Sequence, residues 1–256
     1  MTKRIMNIKT RMKQKGFTLI ELAIVLVIVG VLIGSFIGSL TQRIENSRIA
    51  ETEDQLEEIK TALLGYAYTN GHLPCPDCFS IFPGGCLGGG TARDGIEDRN
   101  GAFCGSNSVG TLPWVTLGLA KSDAWGTRYR YWVDPTYSEA PPGTVFTLTT
   151  VSATLGQIDE RASDDTIDDL ADGIVAVVIS HGKNAYGGIT TSSIAKEAIP
   201  AANVDEGENV DLDSTFISRP PSGVGATTAG GEFDDILTWI TEFELKAKMV
   251  EAGRLP

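Results

Sequence analysis

Histidine is nearly absent: His72 and His181 are the only two in 256 residues. No H-E-x-x-H helix and no G-x-S-x-G elbow is present, so hydrolytic chemistry has no recognisable site. There is no P-loop, and no G-x-G-x-x-G follows a strand. The glycine-rich stretch Gly84 to Gly90 lies in a cysteine loop instead. Both histidines read as structural or surface residues, and the chain is not expected to be an enzyme. Positive charge is scarce beyond the N-terminus. Six of the 21 Lys and Arg (Lys3, Arg4, Lys9, Arg11, Lys13 and Lys15) precede Gly16, leaving 15 against 33 Asp and Glu, a net charge of −18. That balance argues against binding nucleic acid through a basic surface.

Other absences define the N-terminal segment. No acid precedes Gly16, and from Phe17 to Leu40 the only charge is Glu21. The run contains no proline. Its 24 residues make a helix of about 36 Å, enough to cross a hydrocarbon core of about 30 Å. The basic cluster before it predicts a cytoplasmic N-terminus and an exported C-terminal body. A secretory signal would have a shorter apolar region ending in a small-residue cleavage site. Here the small residue, Gly16, comes first, so cutting after it would keep the apolar helix and make Phe17 the new N-terminus. A carboxylate inside such a run is costly and needs a partner. No Lys or Arg within the run supplies one.

GFTLIELAIVLVIVGVLIG resembles the N-terminus of the type IV pilin superfamily, which includes pilins, minor pilins and the pseudopilins of type II secretion. The resemblance implies that a prepilin peptidase cuts after Gly16 and methylates the amine of Phe17. It implies that Glu21 pairs with the N-terminal amine of a neighbouring subunit, which would offset the cost of the carboxylate in lipid. It also implies a single-pass protein of the bacterial inner membrane, with a periplasmic body, that later enters a type II secretion pseudopilus or type IV pilus. The partners are then the peptidase, membrane lipid, and other pilin or pseudopilin subunits. Gly30, Gly34 and Gly38 share one helix face at four-residue spacing, which allows close helix approach. In assembled pilins this region can unwind, and the glycines would permit it; plain glycine tolerance in a membrane helix is an equal reading.

From Thr41 to Thr69 the chain is polar but periodic. Ile49, Leu56 and Leu63 recur every seven residues, interleaved with Thr52, Ile59 and Tyr66, while Glu51, Asp54, Glu57, Glu58 and Lys60 fall mostly off that stripe. Asn70-Gly71 is a stop signal, and Pro74 blocks continuation. One helix of about 80 Å is therefore expected from Phe17 to Thr69. The remaining residues, Gly71 to Pro256, are enough for one core. Strands are expected at Arg128 to Val133, Val145 to Val151, Ile174 to Ser180 and Ile236 to Ile240, and a closing helix at Glu242 to Glu251. No strand–helix alternation suggests a doubly wound sheet. The expected class is α+β: a pilin-like long N-terminal helix packed on a small antiparallel sheet. The expected layout is a leader at 1–16, a transmembrane half-helix at 17–40, an amphipathic half-helix at 41–70 and an exported domain at 71–256, with a cysteine loop at 73–104. DAWGTRYRYWV (Asp123 to Val133) resembles the D-x-W-G-x-x-Y-x-Y segment of pseudopilins. LPCPD, GTLPWVTLGL, SHGKNAYGG and FDDILTWI resemble segments of a subset of prepilin-type proteins with a cysteine-containing loop.

Cys75, Cys78, Cys86 and Cys104 lie on the side read as exported, where disulfides persist. Four cysteines allow three pairings, and sequence does not choose among them. Cys75–Cys104 with Cys78–Cys86 is the expected set, because a 75–78 bond would close a tight loop. Their spacing does not form a clean paired-CxxC zinc pattern, and no βαβ unit accompanies the CxxC.

Three acidic runs follow: Asp94, Glu97, Asp98 and Asn100; Asp164, Asp165, Asp168, Asp169 and Asp172; and Asp205, Glu206, Glu208, Asp211 and Asp213. None has the full EF-hand pattern. A solvated acidic surface is the preferred reading, with no metal and no cofactor. Some pseudopilins bind calcium in a late loop, here between Ser180 and Asp235, and oxygen-rich loops can hold that ion. A structural calcium would then fall at the third run or at Asp234 and Asp235. The competing functional class is a membrane-tethered periplasmic binding module that does not polymerise, with Ile189 to Glu232 as its recognition region.

Overall fold

The computed structural model describes residues 18–79, 86, 90–104, 108–162, 165–223, 225–226 and 229–255, with backbone alone at 34–39. Gly16, Phe17 and Asp164 lie outside the described residues, as does the leader. The chain divides into two compact units, Met1–Ser47 and Arg48–Pro256. Helix α1 spans Leu19–Asn70, close to the single long helix expected. In the first unit its apolar side chains stand exposed, among them Leu19, Val27 and Val31. Among the described residues no helix is long and apolar enough to cross a membrane.

In the second unit the stripe on α1 turns inward. Thr52, Leu56, Ile59, Leu63 and Ala67 are all buried, while Glu51, Asp54, Glu57 and Glu58 are exposed. The helix ends where the sequence places its stop. Gly71 has φ +85° and its N–H reaches the Ala67 carbonyl at 2.7 Å, a left-handed C-terminal closure that favours glycine.

The sheet contains β1 (Val109–Thr111), β2 (Arg130–Val133), β3 (Gly156–Arg161), β4 (Ile167–Ser180), β5 (Thr215–Ile217) and β6 (Ile236–Thr241). Its order is β1-β2-β4-β3-β5, with β6 also paired to β4. All pairings are antiparallel except β3 with β5, which run parallel (Ile158 opposite Phe216). The sheet is thus mixed where an antiparallel one was expected. Short helices α2 (Trp114–Leu117), α3 (Pro135–Ser138) and α4 (Val204–Glu208) interrupt the loops, and α5 (Glu242–Glu251) closes the body.

Alternation along the strands makes two cores. Tyr131 and Val133 of β2 and Ala176 and Val178 of β4 face α1, together with Leu245 and Met249 of α5. Trp132, Val177 and Ile179 face the opposite way and meet Phe79, Ile158, Ile189 and Phe216. The register shift between Ile174 and Ala176 lets Val175 join the first core while Ile174 joins the second. The second face is thus covered by the cysteine loop and the 189–217 region.

The strand expected at Val145 to Val151 is instead a loop. Phe146 is buried and anchors it, but Leu148 and Val151 are exposed. The threonines bond locally: the Thr147 N–H donates to Thr150 Oγ1 at 2.7 Å, and the Thr150 N–H to the Thr147 carbonyl at 3.2 Å. These short-range bonds replace a ladder. Conversely, β3 and the first half of β4 form despite their acids, with Glu160 opposite Asp168 and Asp159 opposite Asp169. Gln157 Nε2 bridges the latter pair at 2.6 and 2.7 Å.

Candidate functional site

The start of α1 is organised by two side chains. Glu21 accepts hydrogen bonds from both the N–H and the hydroxyl of Thr18, each at 2.9 Å, and its own N–H donates to Thr18 Oγ1 at 3.3 Å. This is a capping box: each side chain satisfies an N–H that the first turn leaves without a helical partner. Glu21 therefore has a partner within its own chain, and Thr18 joins the site. The T-x-x-E spacing carried that signal in the sequence. Nothing lies within 4 Å of the Cβ position at Gly30. Gly34 and Gly38 are helical.

The cysteine loop is held from within. The structure joins Cys75 to Cys104 and Cys78 to Cys86. Asp77 is fully buried and accepts the N–H groups of Arg93 (2.6 Å) and Gly95 (2.8 Å) and the Thr111 hydroxyl (3.0 Å). Burial pushes its carboxyl up to about 6 against these bonds. Glu97 takes the Tyr66 hydroxyl at 2.6 Å, the Cys75 N–H at 3.0 Å and Arg99 Nε at 2.9 Å. Arg99 also reaches His72 Nδ1 at 2.8 Å, so the first histidine is a buried strut between α1 and the loop. Desolvation lowers its pKa. Glu97 and Asp98, read from sequence as surface acids, thus serve the loop interior.

The Trp-Gly turn has a comparable logic. Asp123 accepts from the N–H of Trp125 (3.0 Å) and of Thr127 (2.8 Å) and from the Ser180 hydroxyl (2.7 Å), while Gly126 takes φ +80°. The Ala124 N–H meets Thr52 Oγ1 at 3.4 Å, tying this turn to α1.

The third acidic run separates into three environments. Asp205 is buried between Arg161 and Arg219, with closest contacts of 2.8 and 2.6 Å. Glu208, Asp211 and Asp213 cluster at the surface. Glu206 turns inward to meet Asp234 and Asp235. Its Oε1 accepts Asn184 Nδ2 at 2.7 Å and its Oε2 accepts Asn203 Nδ2 at 3.0 Å. Burial pushes Asp234 up to about 7 and raises Glu206. His181 Nδ1 stands 3.4 Å from Asp235 Oδ1. The first acidic run lies with the cysteine loop, and Asp168, Asp169 and Asp172 of the second lie along exposed β4.

Residues 11–37 match the prokaryotic N-terminal methylation motif. That motif is the signature of type IV pilin-like prepilin proteins. The chain thus carries the prepilin motif, which in general implies processing by prepilin peptidase and assembly with other pilin subunits. No curated protein and no solved structure matches the chain.

Proposed function

We propose that this protein is a structural subunit of a type II secretion pseudopilus or type IV pilus, cleaved after Gly16, methylated at Phe17 and polymerised through α1. The observation that carries the reading is the methylation motif at residues 11–37 running into a helix whose first turn holds Glu21. The apolar run would anchor the precursor in the inner membrane, with its body in the periplasm. The capping box gives Glu21 a neutral partner before assembly. After cleavage, the Phe17 amine of a neighbouring subunit offers a cationic one, which is stronger where water is excluded. The body of residues 71–256 is bulky for a densely packed major subunit, which favours a minor role. Neither histidine has a nucleophile or substrate group assigned to it in this reading, and the body acts by display and contact.

Mass spectrometry of the mature N-terminus tests processing: the expected chain begins with N-methylated Phe17, and a chain beginning at Met1 sinks the proposal. Glu21→Ala tests assembly. The variant should fold and be cleaved yet fail to enter the fibre; undiminished incorporation would favour a tethered module that does not polymerise.

A further inference from the structure

We infer that the open edge of β4 from Ile167 to Gly173 is a docking surface for an extended, Lys- or Arg-bearing segment of another protein, taken up as an added strand. The register defines that edge. Ile174 stands opposite Gly156 of β3 on one side and opposite Thr241 of β6 on the other. Beyond Ile174 both sides of β4 are occupied, by β2 from Ala176 onward and by β6 as far as Ser180. Before Ile174 only the β3 side is paired. β6 stops at Thr241 because that residue caps α5: its Oγ1 accepts the Glu244 N–H at 3.1 Å, and the chain turns into helix. Among the described residues no other strand or bridge meets Ile167 to Gly173. Every second residue of the stretch therefore turns its N–H and C=O to solvent. The side chains are open as well. Asp168, Asp169 and Asp172 are exposed, and Ile167 and Leu170 are 50 % and 46 % exposed.

An unpaired edge can take up a copy of itself or a foreign strand, and charge decides between them. From Gly156 to Ser180 the only Lys or Arg is Arg161, and its guanidinium holds Asp205. On the β3–β4 ribbon Glu160 stands opposite Asp168 and Asp159 opposite Asp169, with Asp172 further along. Among the described residues no ion pair reaches Asp168, Asp169 or Asp172. A second copy laid antiparallel on this edge would set aspartates against aspartates, which destabilises a strand pair. A strand with Lys or Arg at alternate positions meets the same carboxylates favourably while its main chain completes the ladder. The two-residue period adds a further requirement. Asp168, Leu170 and Asp172 share one face, so the matching strand places an apolar residue between two cations. The acids that guard the edge against self-pairing thus select its partner. The surface stands on register and charge alone and does not depend on the assembly reading.

The test uses the full chain in nonionic detergent and a fluorescently labelled peptide of alternating lysine and valine, followed by anisotropy. The peptide should bind, and hydrogen exchange should slow at residues 167–173. A peptide of alternating glutamate and valine should not bind. Asp168→Asn combined with Asp172→Asn should weaken binding about tenfold, since two cross-strand charge pairs are lost. Both positions are exposed, so the variant keeps its fold, and Asp211→Asn is the control that should leave binding unchanged. The lysine–valine peptide N-methylated at every amide keeps its charge but cannot donate to the ladder, and should bind at least about tenfold more weakly. Equal binding by the N-methylated peptide would show attraction by charge alone and overturn the added strand. No binding of the lysine–valine peptide, or an equal loss with Asp211→Asn, would also overturn the assignment. So would a dimer of the wild type that pairs through residues 167–173, because the occupant would then be a second copy.

Discussion

Replacing Asp205 with asparagine should cost the body about 3–5 kcal/mol, the range for breaking a buried ion pair from one side. The magnitude follows from what is left behind. Arg161 and Arg219 have side chains 10 % and 5 % exposed, and Asp205 itself is 1 % exposed. Arg161 uses Nε and Nη2 on the carboxylate, and Arg219 Nε binds its other oxygen at 2.6 Å. The amide keeps one acceptor but loses the charge facing two desolvated cations. It also puts a donor against them. A Cβ at Gly230 would sit 1.8 Å from Asp205 Oδ2, so the carboxylate occupies space that a side chain at position 230 would need. With about 2–4 °C per kcal/mol for a body of this size, the Tm should fall by about 6–20 °C. All four tryptophans (Trp114, Trp125, Trp132 and Trp239) lie in the second unit, so urea unfolding followed by tryptophan fluorescence reports on the body and not on the apolar half of α1. Asp213→Asn, at the exposed cluster, is the matched control and should change stability by less than about 0.5 kcal/mol. A loss under about 1 kcal/mol for Asp205→Asn would refute the claim that two buried guanidiniums depend on this carboxylate.

Stability should also depend on pH through Asp77. Its folded carboxyl lies near 6, above the ordinary 3.8, so the folded state holds the proton more tightly than the unfolded chain does. Its contribution is therefore full below about pH 4 and is lost as pH rises through 6, by about 3 kcal/mol. Unfolding free energies of the wild type and Asp77→Asn, measured from pH 4 to 7.5, should diverge in favour of the variant as pH rises; a constant difference would contradict the shift. The disulfides should differ in weight, because Cys75–Cys104 spans 29 residues and Cys78–Cys86 only 8. Paired serine substitutions should cost about 3.5 and 2.5 kcal/mol respectively, compared by denaturant midpoints, and a larger loss for the shorter loop would reverse the argument.

Elements governed by periodicity and local stop signals were legible in the sequence. The stripe through Leu56, Ile59 and Leu63, the glycine stop at Gly71 and helix α5 needed only neighbouring residues to define them. So did β2, β6 and the second half of β4, which carry β-branched and aromatic runs. What escaped depends on distant partners. β3 contains one buried apolar residue, Ile158, and its Asp and Glu read as solvated surface until β4 is placed beside it. The loop at Val145 to Val151 misled in the other direction, because its threonines favour strands yet close on one another. The acids show the same limit most clearly. Asp205, Glu206 and Glu208 stand within four positions of each other, and chain order cannot tell that one meets two arginines, one meets two aspartates, and one faces water. At the start of α1 the capping box was present in the spacing of Thr18 and Glu21, but hydropathy drew attention to the missing cation instead.

The last helix of the chain shares a core with the first. Leu245 and Met249 of α5 lie in the same cluster as Leu56, Ile59 and Leu63. Lys60 and Glu244 pair at 3.0 Å, and Arg254 Nη2 donates to the Thr69 carbonyl at 2.7 Å. A pull along the axis of α1 would then load these contacts together, in shear, instead of peeling them apart one by one. The rate of forced unfolding would be set by the joint failure of that cluster, so the grip between the first and last helices would fix how much tension the body survives.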